Sequence, residues 1–174
     1  MQKDDIVQAL DEKHQTLLNW LENHDDDKWE VGPKDKWTAG QQAIHLLQSI
    51  STLNNALTIP KFVLKLKFGK ANRDVRDYQT VVNRYHERLK EVSGATFGPS
   101  RNMKIPKLKE KPYLLDRIQV ENKKLQYKTN KWKDKQLDSF VLPHPLMGKM
   151  PVRELIMWTA YHVEHHTKTL QDNY

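Results

Sequence analysis

Apolar residues in this chain recur at three- and four-residue spacing in four long stretches, the period of amphipathic helices rather than strands. The first stretch covers residues 2–24 through Ile6, Leu10, Leu17, Leu18 and Leu21, and stops at Asp25-Asp26-Asp27. The second covers about 38–57 and opens with Thr38 and, three residues on, Gln41, a capping-box start. The third covers about 113–134 and buries Leu114, Leu115, Ile118, Leu125 and Trp132, leaving Lys123, Lys124, Lys128, Lys131 and Lys133 as a solvated face. The fourth covers about 152–172, after Pro151 at a position where a first helical turn accepts proline. Two shorter helices are predicted between the second and third, at 60–68, stopped by Gly69, and at about 76–93, with Val81, Val82, Tyr85, Leu89 and Val92 on its apolar face and Gly94 at its end. Residues 28–37, 94–112 (with Gly98, Pro99, Pro106 and Pro112) and 137–151 read as connections. No segment has strand period. The pattern predicts an all-α four-helix bundle, one domain over 1–174, with an extra helical insertion after the second long helix.

Composition narrows the chemistry. The 174 residues are 37% hydrophobic and 29% charged, as in soluble globular domains. The chain has no cysteine, which excludes disulfides, thiolate zinc sites and cysteine nucleophiles. Any tight transition-metal site must use histidine and carboxylate. The N-terminus is not a signal peptide in pattern, and the longest uncharged run, 38–60, is too polar to span a bilayer. A cytoplasmic protein with no membrane partner is expected.

The net charge of +7 is unevenly spread. Residues 1–36 hold five Lys against ten Asp and Glu, 58–76 six basic against one acidic, and 101–136 twelve basic against four acidic residues. Aromatic residues are not interleaved with the basic ones as in a stacking platform. Offsetting faces within the fold are therefore expected, and no specific nucleic-acid partner. The absence of charge from 38 to 60 predicts that the second helix is enclosed in the bundle or in the interface of a homodimer.

Three of the eight histidines, His162, His165 and His166, lie within five residues of the fourth helix. His162 and His166 stack one turn apart beside Leu155, Thr159, Val163 and Leu170. Such a pair is either a set of helix-end histidines near the negative pole of the macrodipole or two ligands of one metal ion. His45, on an uncharged polar stripe with Gln41, Gln48, Ser49 and Thr52, is either a hydrogen-bonded core histidine or a third ligand. His45 lies about 10 Å into its helix, His162 about 15 Å and His166 about 21 Å into theirs. Parallel second and fourth helices would bring His45 near the level of His162. His165 shares its side with Trp158, Tyr161 and Lys168. His14, His24 and His86 sit among charged sequence neighbours and read as solvated. His144, between two prolines, reads as a loop residue near the mouth of any site.

The stretches WTAGQQAIHLLQSI and HPLMGKMPVRELIMWTAYHVEHHTKTL resemble the second-helix and C-terminal motifs of the DinB-like, or YfiT-like, metalloenzymes. The insertion FGKANRDVRDYQTVVNRYHERL resembles one branch of that family, so the likeness covers nearly the whole chain. It implies a bundle that often dimerises, with His45, His162 and His166 binding a divalent metal such as zinc or nickel. His165 falls beside the motif and is not among these ligands; from its own side of the helix it is expected at the edge of the site, donating a hydrogen bond to a ligand. The resemblance also implies relatives that are metal-dependent thiol-cofactor transferases or isomerases. A three-histidine ion leaves a position open for water or substrate, so a metal-dependent hydrolase or a thiol-dependent transferase acting on a small-molecule substrate is expected. Without cysteine, the thiol must come from a small molecule. Lys70, Arg73 and Lys149, by loop position, are candidates to meet carboxylates of that ligand. The alternative is a non-catalytic binding protein for an anionic partner, resting on the basic 101–136 segment.

Overall fold

The computed structural model describes residues 1–92 and 103–174. Gly94, Gly98 and Pro99, read above as a helix end and loop, lie outside the described residues. The helices are α1 (Lys3–Asn23), α2 (Asp27–Glu30), α3 (Ala39–Thr58), α4 (Lys61–Phe68), α5 (Tyr78–Glu91), α6 (Lys111–Lys131), α7 (Asp134–Ser139) and α8 (Val152–Asn173). Local chemistry sets their ends. At α3 the Thr38 hydroxyl accepts from the Gln41 N–H at 3.1 Å, and the Gln41 side chain accepts from the Thr38 N–H at 3.0 Å, the predicted capping box. Asp77 caps α5 by accepting from the Thr80 N–H at 2.8 Å. Gly69, at φ +84°, terminates α4 in a conformation that strains other residues.

The long helices α1, α3, α6 and α8 make the bundle, and side-chain pairs give their directions. Lys13 of α1 pairs with Glu164 of α8, while Lys3 and Arg153 share Asp134, so α1 and α8 run together. Asn54 of α3 meets Glu121 of α6 at 2.7 Å, and Thr58 meets Lys128 at 2.7 Å, so α3 and α6 run together. The Tyr174 hydroxyl donates to the Trp37 carbonyl at 2.6 Å, placing the end of α8 against the start of α3. The topology is up-down-down-up. The expected parallel α3 and α8 are therefore antiparallel. Around the bundle the order is α1, α6, α3, α8, with α5 packed on α8.

Residues 137–151, expected to be a loop, hold the end of α7 and a β-hairpin. Strand β1 (Val141–His144) pairs antiparallel with β2 (Gly148–Pro151), from Val141↔Pro151 to His144↔Gly148. Each strand has four residues, too few to show an alternation, and Pro143 points outward. The third long helix also ends earlier than expected, at Lys131, where Trp132 turns extended.

Two apolar clusters fill the interior. One joins Ile6, Leu10, Ile50, Leu53, Leu125, Ile156 and the hairpin's Leu142 and Met150. The other joins Leu17, Leu21, Trp29, Ala43, Leu46, Ile118, Val163 and Leu170. Each fully buried aliphatic side chain contributes about 1.5–3 kcal/mol. His162 falls where the clusters meet, between Ala160 and Val163 on α8, and His45 lies beside the second cluster, between Ala43 and Leu46 on α3. Gly40 permits the close approach of α2 and Pro106 to the first turn of α3: a Cβ on it would stand 2.8 Å from the Trp29 carbonyl oxygen and 2.6 Å from Pro106 Cγ. Fourteen of the 22 residues of α8 are buried, because α1, α3, α5, α7 and the hairpin cover it. No helix among the described residues is long and apolar enough to cross a membrane.

None of the three histidines read as solvated is fully exposed, and two of them belong to α1 and its end. His14 is 2% exposed, and its Nδ1–H donates to the Leu10 carbonyl at 2.7 Å. His24 is half-buried and stacks on Trp20, with ring centroids 4.1 Å apart.

Candidate metal centre

The antiparallel α3–α8 seam brings His45, His162 and His166 together. His162 Nε2 stands 3.1 Å from His45 Nε2 and 3.0 Å from His166 Nε2. One ligand atom from each residue fits within 4.8 Å of the others. His162 and His166 come together because they lie one turn apart on α8; His45 joins them because it lies about two turns in from the start of α3, opposite the last turns of α8.

Gln42, one turn before Leu46 and 4% exposed, reaches across the seam, and His166 Nδ1–H donates to its Oε1. That bond fixes the His166 tautomer and leaves its Nε2 as a lone pair facing the other two rings. Burial pushes all three imidazoles toward the neutral form. His45 is lowered to about 4 by burial and then by the neighbouring His165 charge. His162 and His166 are held well below the ordinary histidine range, by burial first and neighbouring histidines second. Neutral imidazole is the form that ligates a cation.

Aromatic rings wall the cluster. Trp158 stacks on His162 at 4.4 Å and 20°, so it belongs beside this ring rather than at the edge with His165. Trp37 lies 5.0 Å from His45 and stacks over His166 at 6.4 Å. Tyr85 of α5 presents its edge to His162 at 6.3 Å and to His165 at 5.9 Å. His165 is half-buried, 5.4 Å from the His166 ring and 6.2 Å from the His86 ring. It flanks the cluster and is outside the convergent set. His86, expected to be exposed, is half-buried with its Nε2 against the Tyr161 hydroxyl. His144 is 6% exposed and lies behind Trp158, with ring centroids 4.2 Å apart; its Nδ1 accepts from the Leu146 and Met147 N–H groups at 3.1 Å, tying the hairpin turn. It is a buried structural residue, not a residue of the mouth.

Lys70, Arg73 and Lys149 have partners elsewhere. Arg73 makes two hydrogen bonds to the fully buried Glu154, at 2.5 and 2.8 Å, with Arg76 joining at 3.3 Å. Lys149 donates to the Phe68 carbonyl at 2.8 Å, and Lys70 lies 5.3 Å over the Phe140 ring. Glu154 precedes His162 by eight residues, roughly 12 Å along α8, so these cations belong to the hairpin end of the helix. Glu164 pairs with Lys13, away from the histidine cluster. Gln42, Trp37 and Trp158 are the residues of the centre that the motif reading missed.

With a metal–nitrogen distance of about 2.0–2.1 Å, two ligand nitrogens stand roughly 2.9 Å apart at a right angle and roughly 3.4 Å apart at the tetrahedral angle. The observed 3.0 and 3.1 Å fall between these limits. Three imidazoles pushed toward the neutral form, His162 and His166 buried and His45 half-buried, with His166 already fixed through Nδ1, form a donor set that could hold a divalent metal ion. A family model of the DinB superfamily matches residues 9–170. The chain belongs to the DinB superfamily. Its fold is similar to the solved structure of TT2238, a four-helix bundle protein, at 18% identity and a TM-score of 0.59, over 99% of this chain and 100% of that one. Among curated proteins, none matches in sequence.

Proposed function

We propose that this DinB protein is a divalent-metal enzyme whose ligands are His45, His162 and His166, acting on a small molecule either as a hydrolase or as a thiol-dependent transferase. The observation that carries the reading is a proton count. His166 Nδ1–H donates to Gln42 Oε1, so His166 Nε2 is an acceptor. If His162 Nε2 is also an acceptor, two lone pairs face each other at 3.0 Å. If it carries a proton, that single N–H must serve both His166 Nε2 and His45 Nε2, 3.1 Å away. Burial disfavours adding a proton to neutralise the repulsion. A cation shared by the three nitrogens satisfies them together, and zinc or nickel suits an all-imidazole set.

When bound, such an ion lowers the pKa of a coordinated water or small-molecule thiol toward neutrality. The chain supplies the rest. Gln42 orients His166, Trp158 and Trp37 hold the imidazole planes, and Tyr85 closes the α5 side against bulk water. The thiol of a transferase reaction must come from a cofactor, since the chain has none. Lys70, Arg73 and Lys149 are engaged elsewhere and take no part.

Metal analysis of the purified protein tests the reading. One zinc or nickel per chain is expected. His45→Ala, His162→Ala and His166→Ala should each lose it while remaining helical, and His165→Ala should keep it. Loss of metal in His165→Ala with retention in His166→Ala would remove the basis of the assignment. Metal-dependent turnover of an activated ester, against metal-dependent addition of a small thiol to an electrophile, separates the two reaction types.

A further inference from the structure

At the end of the bundle remote from the metal centre, α4 carries two apolar side chains that nothing in the chain covers. Leu64, 1% exposed, seats α4 on the bundle. Positions two residues away on a helix point roughly 160° from it. Phe62 and Leu66, on that outer side, are 74% and 87% exposed, the two most exposed large hydrophobic residues among those described. Side chains so bare sit on a projection, not in a groove. They are also adjacent, one turn apart, unlike the scattered single apolar residues of an ordinary surface.

The surroundings are cationic and unneutralised. Lys65, Lys67 and Lys70 are exposed. Lys61 lies 4.5 Å over the Trp132 ring, which joins α4 to the end of α6, where Lys131 lies over the exposed Tyr127. Residues 58–73 contain five basic residues (Lys61, Lys65, Lys67, Lys70, Arg73) and no acidic one, and 123–133 contain five lysines and no acidic one. Lys61, Lys65, Lys67, Lys70 and Lys131 form no ion pair with the described residues.

A second copy docked here about a two-fold axis would bring both lysine sets together. Duplex nucleic acid takes the lysines but has no use for two projecting aliphatic and phenyl groups. An anionic lipid surface answers both features: phosphates meet the lysines while Phe62 and Leu66 enter the headgroup–acyl boundary. We propose that the α4 end of this protein docks peripherally on anionic phospholipid membranes. The expectation of no membrane partner came from segments of spanning length, and an eight-residue surface helix lies outside that criterion.

Co-sedimentation of the full chain with phosphatidylcholine vesicles, with and without phosphatidylglycerol, tests this. Binding is expected only with phosphatidylglycerol and should be reversed by salt. Phe62→Ser/Leu66→Ser and Lys65→Glu/Lys67→Glu should each weaken it by about ten-fold or more, with unchanged circular dichroism because all four sites are exposed. Lys109→Glu, at the other end of the bundle, should bind as the parent does. The proposal is overturned if the parent chain stays in the supernatant with anionic vesicles, or if the apolar double variant binds as well as the parent. It is also overturned if the parent dimerises in solution and Phe62→Ser/Leu66→Ser makes it monomeric, which would assign the patch to a second copy.

Discussion

Replacing Gln42 with Leu probes the metal centre without touching a ligand. Gln42 Oε1 is the acceptor for His166 Nδ1–H, and both residues are buried, Gln42 at 4% and His166 at 9% exposure. Leucine keeps the approximate volume and helix propensity but offers no acceptor. Two losses follow. The His166 N–H becomes a buried donor without a partner, which costs about 1–3 kcal/mol. The ring also loses the bond that sets its tautomer and its angle toward His162. Loss of such an outer partner lowers metal affinity by about 10–100-fold, or about 1.4–2.7 kcal/mol.

Gln42→Glu separates orientation from charge. Its carboxylate accepts the same proton in a charge-assisted bond and makes the imidazole a stronger donor to a cation. It also places a buried charge in the apo protein, which destabilises that state. The pair therefore carries opposite signatures. Gln42→Leu should bind metal more weakly, and Gln42→Glu should bind at least as tightly as the parent while its metal-free form melts earlier. Competition against a chelator of known affinity gives the first quantity, and thermal melts of the metal-free proteins give the second. Parental metal affinity in a folded Gln42→Leu protein would refute the claim that this contact orients His166.

Two further predictions concern stability. Burial lowers His14 from 6.5 to about 4, offset in part by the Leu10 carbonyl and Asp11. The folded state thus refuses a proton that the unfolded chain accepts, so stability present above about 6.5 falls as pH drops toward 4, by about 3 kcal/mol from this residue; urea titrations of His14→Gln should show a shallower decline, and an unchanged slope would count against burial as the cause. For Glu154 the upward push of burial is outweighed by hydrogen bonds from Arg73 and the Arg76 N–H and by both guanidinium charges, so its carboxyl sits below the ordinary 4.5 and its stabilisation is lost as pH falls through that lowered value. Glu154→Ala should cost about 2–3 kcal/mol, less than for a wholly buried pair because Arg73 and Arg76 keep 31% and 27% of their side-chain exposure, and hydrogen exchange should rise in α5, which this cluster ties to α8.

The bundle was legible because each long helix shows its buried stripe and its stop signals in sequence. The predicted bounds of α3 and α8 fall within a residue of those observed. Helix direction was not legible. Periodicity states which face is buried and says nothing about which way a helix runs. The connection from α3 to α6 contains α4 and α5 and is long enough to cross the bundle or return along it. The hairpin was hidden by its four-residue strands and by Pro143.

The convergence of the three histidines survived the wrong direction for a geometric reason. His45 lies seven residues after the Thr38 cap, and His166 lies seven residues before Asn173, where α8 ends. An antiparallel pair therefore levels His45 with His166, while a parallel pair would have put it near His162. Since those two rings are one turn apart, either direction brings His45 to the pair, and agreement in level could not discriminate between them. One misreading and one omission share a cause. His14 was weighed against its sequence neighbours Glu12 and Lys13, yet its helix neighbours at three and four residues are Leu10, Leu17 and Leu18. Gln42 leads the stripe Leu46, Ile50, Leu53 and Leu57. A polar side chain on an apolar stripe must find a partner inside the protein, and both do: His14 in the Leu10 carbonyl of its own helix, Gln42 in a ligand of the opposite one. Read along the helix face rather than along the chain, the same sequence marks both positions, and it marks Gln42 as the one whose partner lies across the seam.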